Sequence, residues 1–180
     1  STRRQGVNDH PHRGFETVTI VYEGEIEHRD SAGNGGTIGP GDVQWMTAAA
    51  GIIHREMFSE AFTQRGGRFE MVQLWVNLPA ADKMGRPGYQ GLTRAEIPVV
   101  ELPGAAGTVR VIAGDFNSTI GPARTHTRMT VLDAQVGKGQ SVTFPTGEGD
   151  TALVYLLAGR VHFDTDEVLE EQGLAVLSQQ

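Results

Sequence analysis

No cysteine occurs among the 180 residues of this sequence. Disulfides and thiolate metal sites are therefore excluded, and any metal ion must be bound by histidine, carboxylate or water. No apolar run approaches the roughly 18 residues that a transmembrane helix requires, so no membrane association is expected. The lack of cysteine is compatible with a reducing cytoplasm, where we expect the protein, or with the nucleus if the organism is a eukaryote.

Basic residues are also scarce. Lysine and arginine number 15 against 22 aspartates and glutamates, which gives a net charge of −7. Proteins that bind nucleic acids usually present a basic surface, so direct contact with nucleic acid is not expected. The net negative charge does not argue against binding to a protein partner.

Long helical periodicity is absent too, because 24 glycines and 8 prolines separate short β-branched and aromatic stretches. We therefore predict an all-β fold with few short helices. Residues 17–22 and 69–78 are expected to form strands that are covered on both faces. Further strands are predicted over residues 25–30, 43–46, 52–57, 108–113, 129–136, 141–144, 151–157, 161–164 and 174–177. Residues 1–9 are expected to be irregular, and 79–98 to form a connector with one helical turn over 80–84.

An internal repeat is visible in the predicted strands. The strand–turn–strand segment around Gly24 can be laid on the segment around Gly159, and the same alignment places Gly41 opposite Gly173. The second copy keeps the strand pattern but has no histidine or glutamate opposite the candidate ligands of the first. We interpret the chain as two copies of one β-module, of which only the first carries a site.

The candidate ligands lie in two short clusters. His10 and His12 are two residues apart, Glu16 follows four residues later, and His54 and Glu56 repeat the two-residue spacing. Side chains two apart in a strand project to the same face, so two strands could present three imidazoles and one or two carboxylates to one point. A single histidine is more often structural, but this combination suits Fe(II), Mn, Ni, Cu or Zn.

Four phrases of the sequence resemble the pirin family of bicupins, and the match extends from His10 to about Gln180. They are HPHRGFETVT (10–19), EGEIEHRDSAGN (23–34), GPGDVQWMTA (39–48) and QLWVNLP (73–79). The resemblance implies two cupin-type β-barrels. Residues 1–95 would be the metal-binding N-terminal domain with its connector. Residues 96–180 would be a C-terminal domain without metal ligands, incomplete at its C-terminal end, because pirins usually continue beyond both ends of this chain.

The resemblance also implies a site and an activity. The site would be one Fe(II) ion bound by His10, His12, His54 and Glu56, with Glu16 nearby but not bound. The activity would be that of a quercetin 2,3-dioxygenase, which acts on a flavonol and O2. Glu56 or Glu16 would take the substrate's hydroxyl proton.

Two other functions stay open. Pirin-like proteins also suggest a non-enzymatic, metal- or redox-dependent regulator that binds a transcription factor or a metabolic enzyme. The third interpretation is a scaffold that the metal only stabilises. The dioxygenase and the regulator require the same site, so the sequence separates these two poorly.

Other residues are expected to have structural roles. The histidines outside the two clusters, which we expect at the surface or in turns, are His28, His126 and His162. Large apolar side chains that could line a pocket for a flat substrate, although core packing is favoured for most, are Phe15, Trp45, Met46, Phe69 and Trp75.

Overall fold

A computed structural model describes residues 4–177 of the chain. Two compact units are present, Ser1–Ser141 and Val142–Gln180. The elements of the first unit are β1 (Gly6–His12), β2 (Phe15–Glu23), β3 (Ile26–Asp30), β4 (Gly35–Ile38), β5 (Val43–Thr47), β6 (Ile52–Phe58), α1 (Glu60–Arg65), β7 (Glu70–Asn77), β8 (Gly88–Leu92), β9 (Val99–Glu101), a 3-10 turn (Pro103–Ala105), β10 (Gly107–Ala113), β11 (Asp115–Phe116), β12 (Thr119–Ile120) and β13 (Val131–Val136). The all-β prediction is confirmed, and no helix among residues 4–177 has the length and apolarity to cross a membrane.

Two four-stranded antiparallel sheets form the centre of the first unit. One has the strand order β1-β6-β3-β4 and the other β7-β2-β5-β8. Their inner faces meet, since Nε2 of Gln44 on β5 donates to Glu56 on β6 over 3.2 Å. The space between the sheets is therefore lined by side chains from both, as in a β-sandwich.

Strand β2 is central and buried, as predicted. Val18 and Ile20 pack with Trp45 of β5 and Ile112 of β10 in one apolar cluster on the outer face of the second sheet. Strand β10 belongs to a further sheet with the order β13-β10-β9, which covers this face. The alternate residues of β2, such as Thr19, face the space between the two large sheets.

Several local predictions are wrong. Residues 6–9 belong to strand β1, because pairing with β6 satisfies the backbone of a polar stretch whose side chains stay exposed. Strand β8 lies inside the predicted connector, where residues 80–84 do form a single turn. Residues 141–144 form no strand. Trp75 on β7 is 67% exposed, so this strand is not covered on both faces.

The second unit repeats part of the first. Its strands are β14 (Ala152–Tyr155), β15 (Arg160–His162), β16 (Val168–Glu170) and β17 (Leu174–Leu177). β14 pairs with β17 and β15 with β16, as β2 pairs with β5 and β3 with β4. Tyr155 opposite Leu174 corresponds to Ile20 opposite Val43. The predicted repeat is thus present in the strand pairing as well as in the sequence.

One position in the predicted alignment is wrong by one residue. Gly41 has a φ of +89° and its N–H donates to the Val21 carbonyl over 2.8 Å. Gln172, with a φ of +60°, donates in the same way to Leu156 over 2.6 Å. Gln172 rather than Gly173 is therefore the counterpart of Gly41. The predicted domain boundary between residues 95 and 96 stays a prediction.

Candidate metal centre

Three histidines meet between the sheets of the first unit. Strands β1 and β6 are antiparallel neighbours, with His10 directly opposite His54. His12, two residues after His10, projects from the same face of β1. The ring centroids lie 4.8 Å apart for His10 and His12, 4.3 Å for His10 and His54, and 4.8 Å for His12 and His54. The structure thus brings together the three imidazoles whose spacing predicted a metal site.

The free nitrogens of this cluster fit a metal ion. Nδ1 of His10 lies 2.7 Å from the Asn8 carbonyl oxygen, which leaves Nε2 available as a ligand. Nε2 of His12 and Nε2 of His54 are buried and have no hydrogen-bond partner among residues 4–177. An unpartnered buried polar atom costs about 1–3 kcal/mol, and coordination to a metal would offset that cost. The donor set therefore fits a divalent ion of the first transition row.

Burial keeps the imidazoles of His12 and His54 neutral. Burial first, and then the neighbouring His10, His28 and His12, together lower the pKa of His54 from 6.5 to about 3. Burial and, to a smaller extent, His10 also lower the pKa of His12. Only a neutral imidazole can bind a metal, so the pocket holds both rings ready for coordination at neutral pH.

Glu56, the predicted fourth ligand, lies beside His54 but in a second cluster. His28, His54 and Glu56 have ligand atoms within 4.8 Å of one another, and the group shares His54 with the three-histidine cluster. The buried Glu56 carboxylate accepts hydrogen bonds from Gln44 Nε2 at 3.2 Å and from Gln73 Nε2 at 3.1 and 3.3 Å. Two amide side chains from the opposite sheet therefore orient this carboxylate.

Glu16 lies away from both clusters, so the expectation that it shares the face of His10 and His12 is wrong. The chain turns at Gly14, whose φ is +79°, and continues in the other sheet, so the two-residue alternation of β1 does not carry over into β2. Glu16 shares its side of β2 with Val18, on the outer face. Its Oε1 accepts from the Thr47 hydroxyl over 2.6 Å, and its buried Oε2 has no hydrogen-bond partner within the described range 4–177.

His28 is the site residue that the sequence prediction missed. It is fully buried on β3, contrary to the expectation of a surface position, and lies opposite Glu56 of β6. Its Nε2 is 3.2 Å from Asp30 Oδ2 and its Nδ1 is 3.2 Å from His54 Nδ1. Its ring stacks on Tyr89 at 5.1 Å. A two-residue alternation along β3 places His28 on the same face as the apolar Ile26, and this pattern could have indicated an inward-facing histidine.

The other two histidines are partly or fully exposed, as expected. The His126 side chain is 39% exposed and lies 3.9 Å from Glu16 and 3.6 Å from Asp82. His162 is exposed on β15. Neither belongs to a cluster of ligand atoms among residues 4–177.

Two of the candidate pocket residues border the three-histidine cluster. The rings of Phe15 and Trp75 lie 5.0 and 5.4 Å from that of His12 and 4.7 Å from each other. Trp45 is instead buried in the apolar cluster, and Phe69 packs against neighbouring phenylalanines. Met46 is buried too. Two aromatic side chains therefore adjoin His12, and one of them, Trp75, is exposed.

An all-β sandwich with a three-histidine cluster between its sheets defines a cupin-type protein. The family profile of Pirin matches residues 2–76, and the chain belongs to the pirin family. Human pirin is 38% identical over 181 residues, which cover 98% of this chain and 60% of human pirin. A Pseudomonas aeruginosa protein named "Putative quercetin 2,3-dioxygenase" is 54% identical over 175 residues, 97% of this chain and 61% of that protein.

Solved structures agree with this family. The structure of a quercetin 2,3-dioxygenase from Acinetobacter baumannii is similar with a TM-score of 0.94 and 50% identity, covering 99% of this chain and 62% of that one. A Geobacillus kaustophilus protein, GK1651, is similar with a TM-score of 0.87 and 35% identity, covering 98% of this chain and 69% of that one. The chain spans about three fifths of the curated relatives reported above.

Proposed function

We propose that the protein is a metal-dependent dioxygenase that opens the ring of quercetin or a similar flavonol with O2. The ligands are His10, His12, His54 and Glu56, and Fe(II) is the proposed ion, although Mn, Ni, Cu and Zn suit the same donors. The observation that carries the proposal is the pair of buried Nε2 atoms of His12 and His54, which have no hydrogen-bond partner in the described part of the chain. The names of the similar bacterial proteins support the substrate class.

The ion would supply Lewis-acid and one-electron chemistry for the reaction of a flavonol oxyanion with O2. The protein supplies a proton acceptor. The Glu56 carboxylate is buried beside His54, and the amides of Gln44 and Gln73 hold it in place. We assign it the removal of the substrate's hydroxyl proton. Glu16, on the other face of β2, has no such position relative to His54.

The aromatic surface beside His12 would bind the substrate's rings. Phe15 and the 67% exposed Trp75 offer aromatic rings, tilted 32° to each other, next to the imidazole cluster. Aromatic side chains favour offset stacking on planar ligands, at about 0.5–1.5 kcal/mol per ring pair beyond the area that is buried. A planar flavonol stacked on the exposed Trp75 would lie beside His12.

The test is aerobic turnover of quercetin by the iron-loaded protein, with O2 uptake and carbon monoxide release both measured. We expect turnover in the wild type and in Arg13→Ala, an exposed neighbour whose guanidinium contacts Met84. His12→Ala removes one ligand, and we expect a loss of at least about 100-fold. A folded, iron-loaded wild type that does not exceed His12→Ala would refute the dioxygenase proposal. It would favour a metal-dependent regulator.

A further inference from the structure

His28 connects His54 to a carboxylate through hydrogen bonds on both of its ring nitrogens. Its Nε2 lies 3.2 Å from Asp30 Oδ2, and its Nδ1 lies 3.2 Å from Nδ1 of His54. The side chains of His28 and Asp30 are both 0% exposed. These three side chains form a continuous hydrogen-bonded series, the Asp30–His28–His54 triad.

Asp30 accepts hydrogen bonds on both carboxylate oxygens. The backbone N–H groups of Ala32 and Asn34 each donate to Oδ1 over 2.9 Å, and Nδ2 of Asn34 donates to Oδ2 over 3.0 Å. Oδ2 is also the atom that faces His28. A carboxylate surrounded in this way is an acceptor, so the His28 Nε2 must carry the hydrogen.

The direction of the remaining bond follows from this assignment. A neutral imidazole has one N–H, so a hydrogen on Nε2 of His28 makes its Nδ1 an acceptor. His54 must then donate from its own Nδ1. The lone pair of His54 consequently lies on Nε2, the buried nitrogen that no described residue contacts through a hydrogen bond.

We propose that Asp30 and His28 are positioning residues that hold His54 in the tautomer whose Nε2 binds the metal. The inference rests on the proposed metal centre and deepens it. His10 is held in the same tautomer by the Asn8 carbonyl. The triad also means that His28 is not a ligand, although it lies near His54 and Glu56. Its only lone pair already accepts the hydrogen of His54.

Asp30→Asn should reverse the direction of both hydrogen bonds in the triad, while the shape of the side chain changes little. The two backbone donors at Oδ1 keep the amide oxygen at that position, which places the amide nitrogen where Oδ2 faces His28. His28 Nε2 must then accept, its Nδ1 must donate, and the hydrogen of His54 moves to Nε2. We expect the affinity for Co(II) to fall about 10- to 100-fold, the usual effect of losing the hydrogen-bond partner of a ligand.

Two further variants separate this role from simple packing. His28→Leu removes the acceptor for His54, whereas His28→Gln replaces it with an amide oxygen, so we expect the glutamine to restore part of the affinity. Asn34→Ala removes two side-chain hydrogen bonds to Asp30 but leaves the bond from His28. We expect it to bind Co(II) like the wild type.

The experiment is anaerobic Co(II) titration of all variants, together with ¹H–¹⁵N spectra that read the His54 tautomer in metal-free protein. Weakened binding and a reversed tautomer in Asp30→Asn would support the triad. Wild-type affinity with an unchanged tautomer would overturn it. If Asp30→Asn does not fold, equal affinities of His28→Leu and His28→Gln overturn it instead. A wild type that binds no Co(II) would refute the metal centre, while the tautomer would still test the triad separately.

Discussion

Acidification should destabilise the metal-free protein, because His54 is buried and resists protonation in the folded state. The pKa of His54 is lowered to about 3 in the folded chain, first by burial and then by His10, His28 and His12. In the unfolded chain it returns to about 6.5. Between these values the unfolded state binds more protons, so the free energy of unfolding decreases as the pH falls below about 6.5.

The size of the effect follows from the two pKa values. With about 1.4 kcal/mol per pKa unit, His54 alone contributes a loss of about 3 kcal/mol between pH 7 and pH 4. The whole pKa difference is converted to free energy without a reduction for solvent screening, because His54 is 1% exposed. The lowered pKa of His12 acts in the same direction. Aspartate and glutamate side chains in general also gain protons as the pH approaches 4, so the measurement must be a difference between two proteins.

The matched variant is His54→Asn, which keeps a donor near His28 and removes the titrating ring. Urea unfolding of both proteins, with chelator present, can be followed by tryptophan fluorescence at pH 7, 6, 5 and 4. Both tryptophans, Trp45 and Trp75, belong to the first unit and therefore report on it. The wild type should lose about 3 kcal/mol more than the variant by pH 4. Parallel pH curves for the two proteins would contradict the assignment.

Four other perturbations should give measurable changes in urea unfolding at neutral pH. Gly24→Ala should cost about 2–3 kcal/mol, because φ is +84° and the new Cβ would lie 2.6 Å from the Phe69 ring. Gly33 also has a positive φ, +89°, but the space around its new Cβ is open, so Gly33→Ala should cost only about 1 kcal/mol. Equal costs for Gly24→Ala and Gly33→Ala would argue against the steric contact with Phe69. Asp133→Ala removes the carboxylate that lies 2.9 Å from the partly buried Arg110, whose guanidinium keeps its hydrogen bond to the Gly41 carbonyl. The loss of this ion pair should cost about 3 kcal/mol, and a change below about 0.5 kcal/mol would show that the pair does not matter. Metal at 100 times its Kd should add about 2.7 kcal/mol to the wild type and nothing to His12→Ala.

The three-histidine cluster could be predicted because it depends on local alternation. His10 and His12 share one strand, and a strand has a fixed period of two. His54 meets them because β6 pairs directly with β1, and the pirin-like phrases indicated the same ligand set. Spacing within a strand and one strand pairing were therefore sufficient.

Glu16 and His28 could not be placed by the same reasoning. Glu16 follows the turn at Gly14 into a different sheet, where the alternation starts again. Alternation along β3 could indicate that His28 faces inward, but His28 reaches His54 only through the long-range pairing of β3 with β6. The short helix Glu60–Arg65 was also not predicted, since its six residues show little periodicity beyond the cap at Ser59.

The metal content of the purified protein tests the central claim most directly. After anaerobic exposure to Fe(II) and gel filtration, the wild type and Arg13→Ala should each retain about one iron per chain. His12→Ala should retain much less while staying folded by near-ultraviolet circular dichroism. Iron bound equally by the wild type and by His12→Ala, or a folded wild type that retains none, would contradict a metal centre built on His10, His12 and His54.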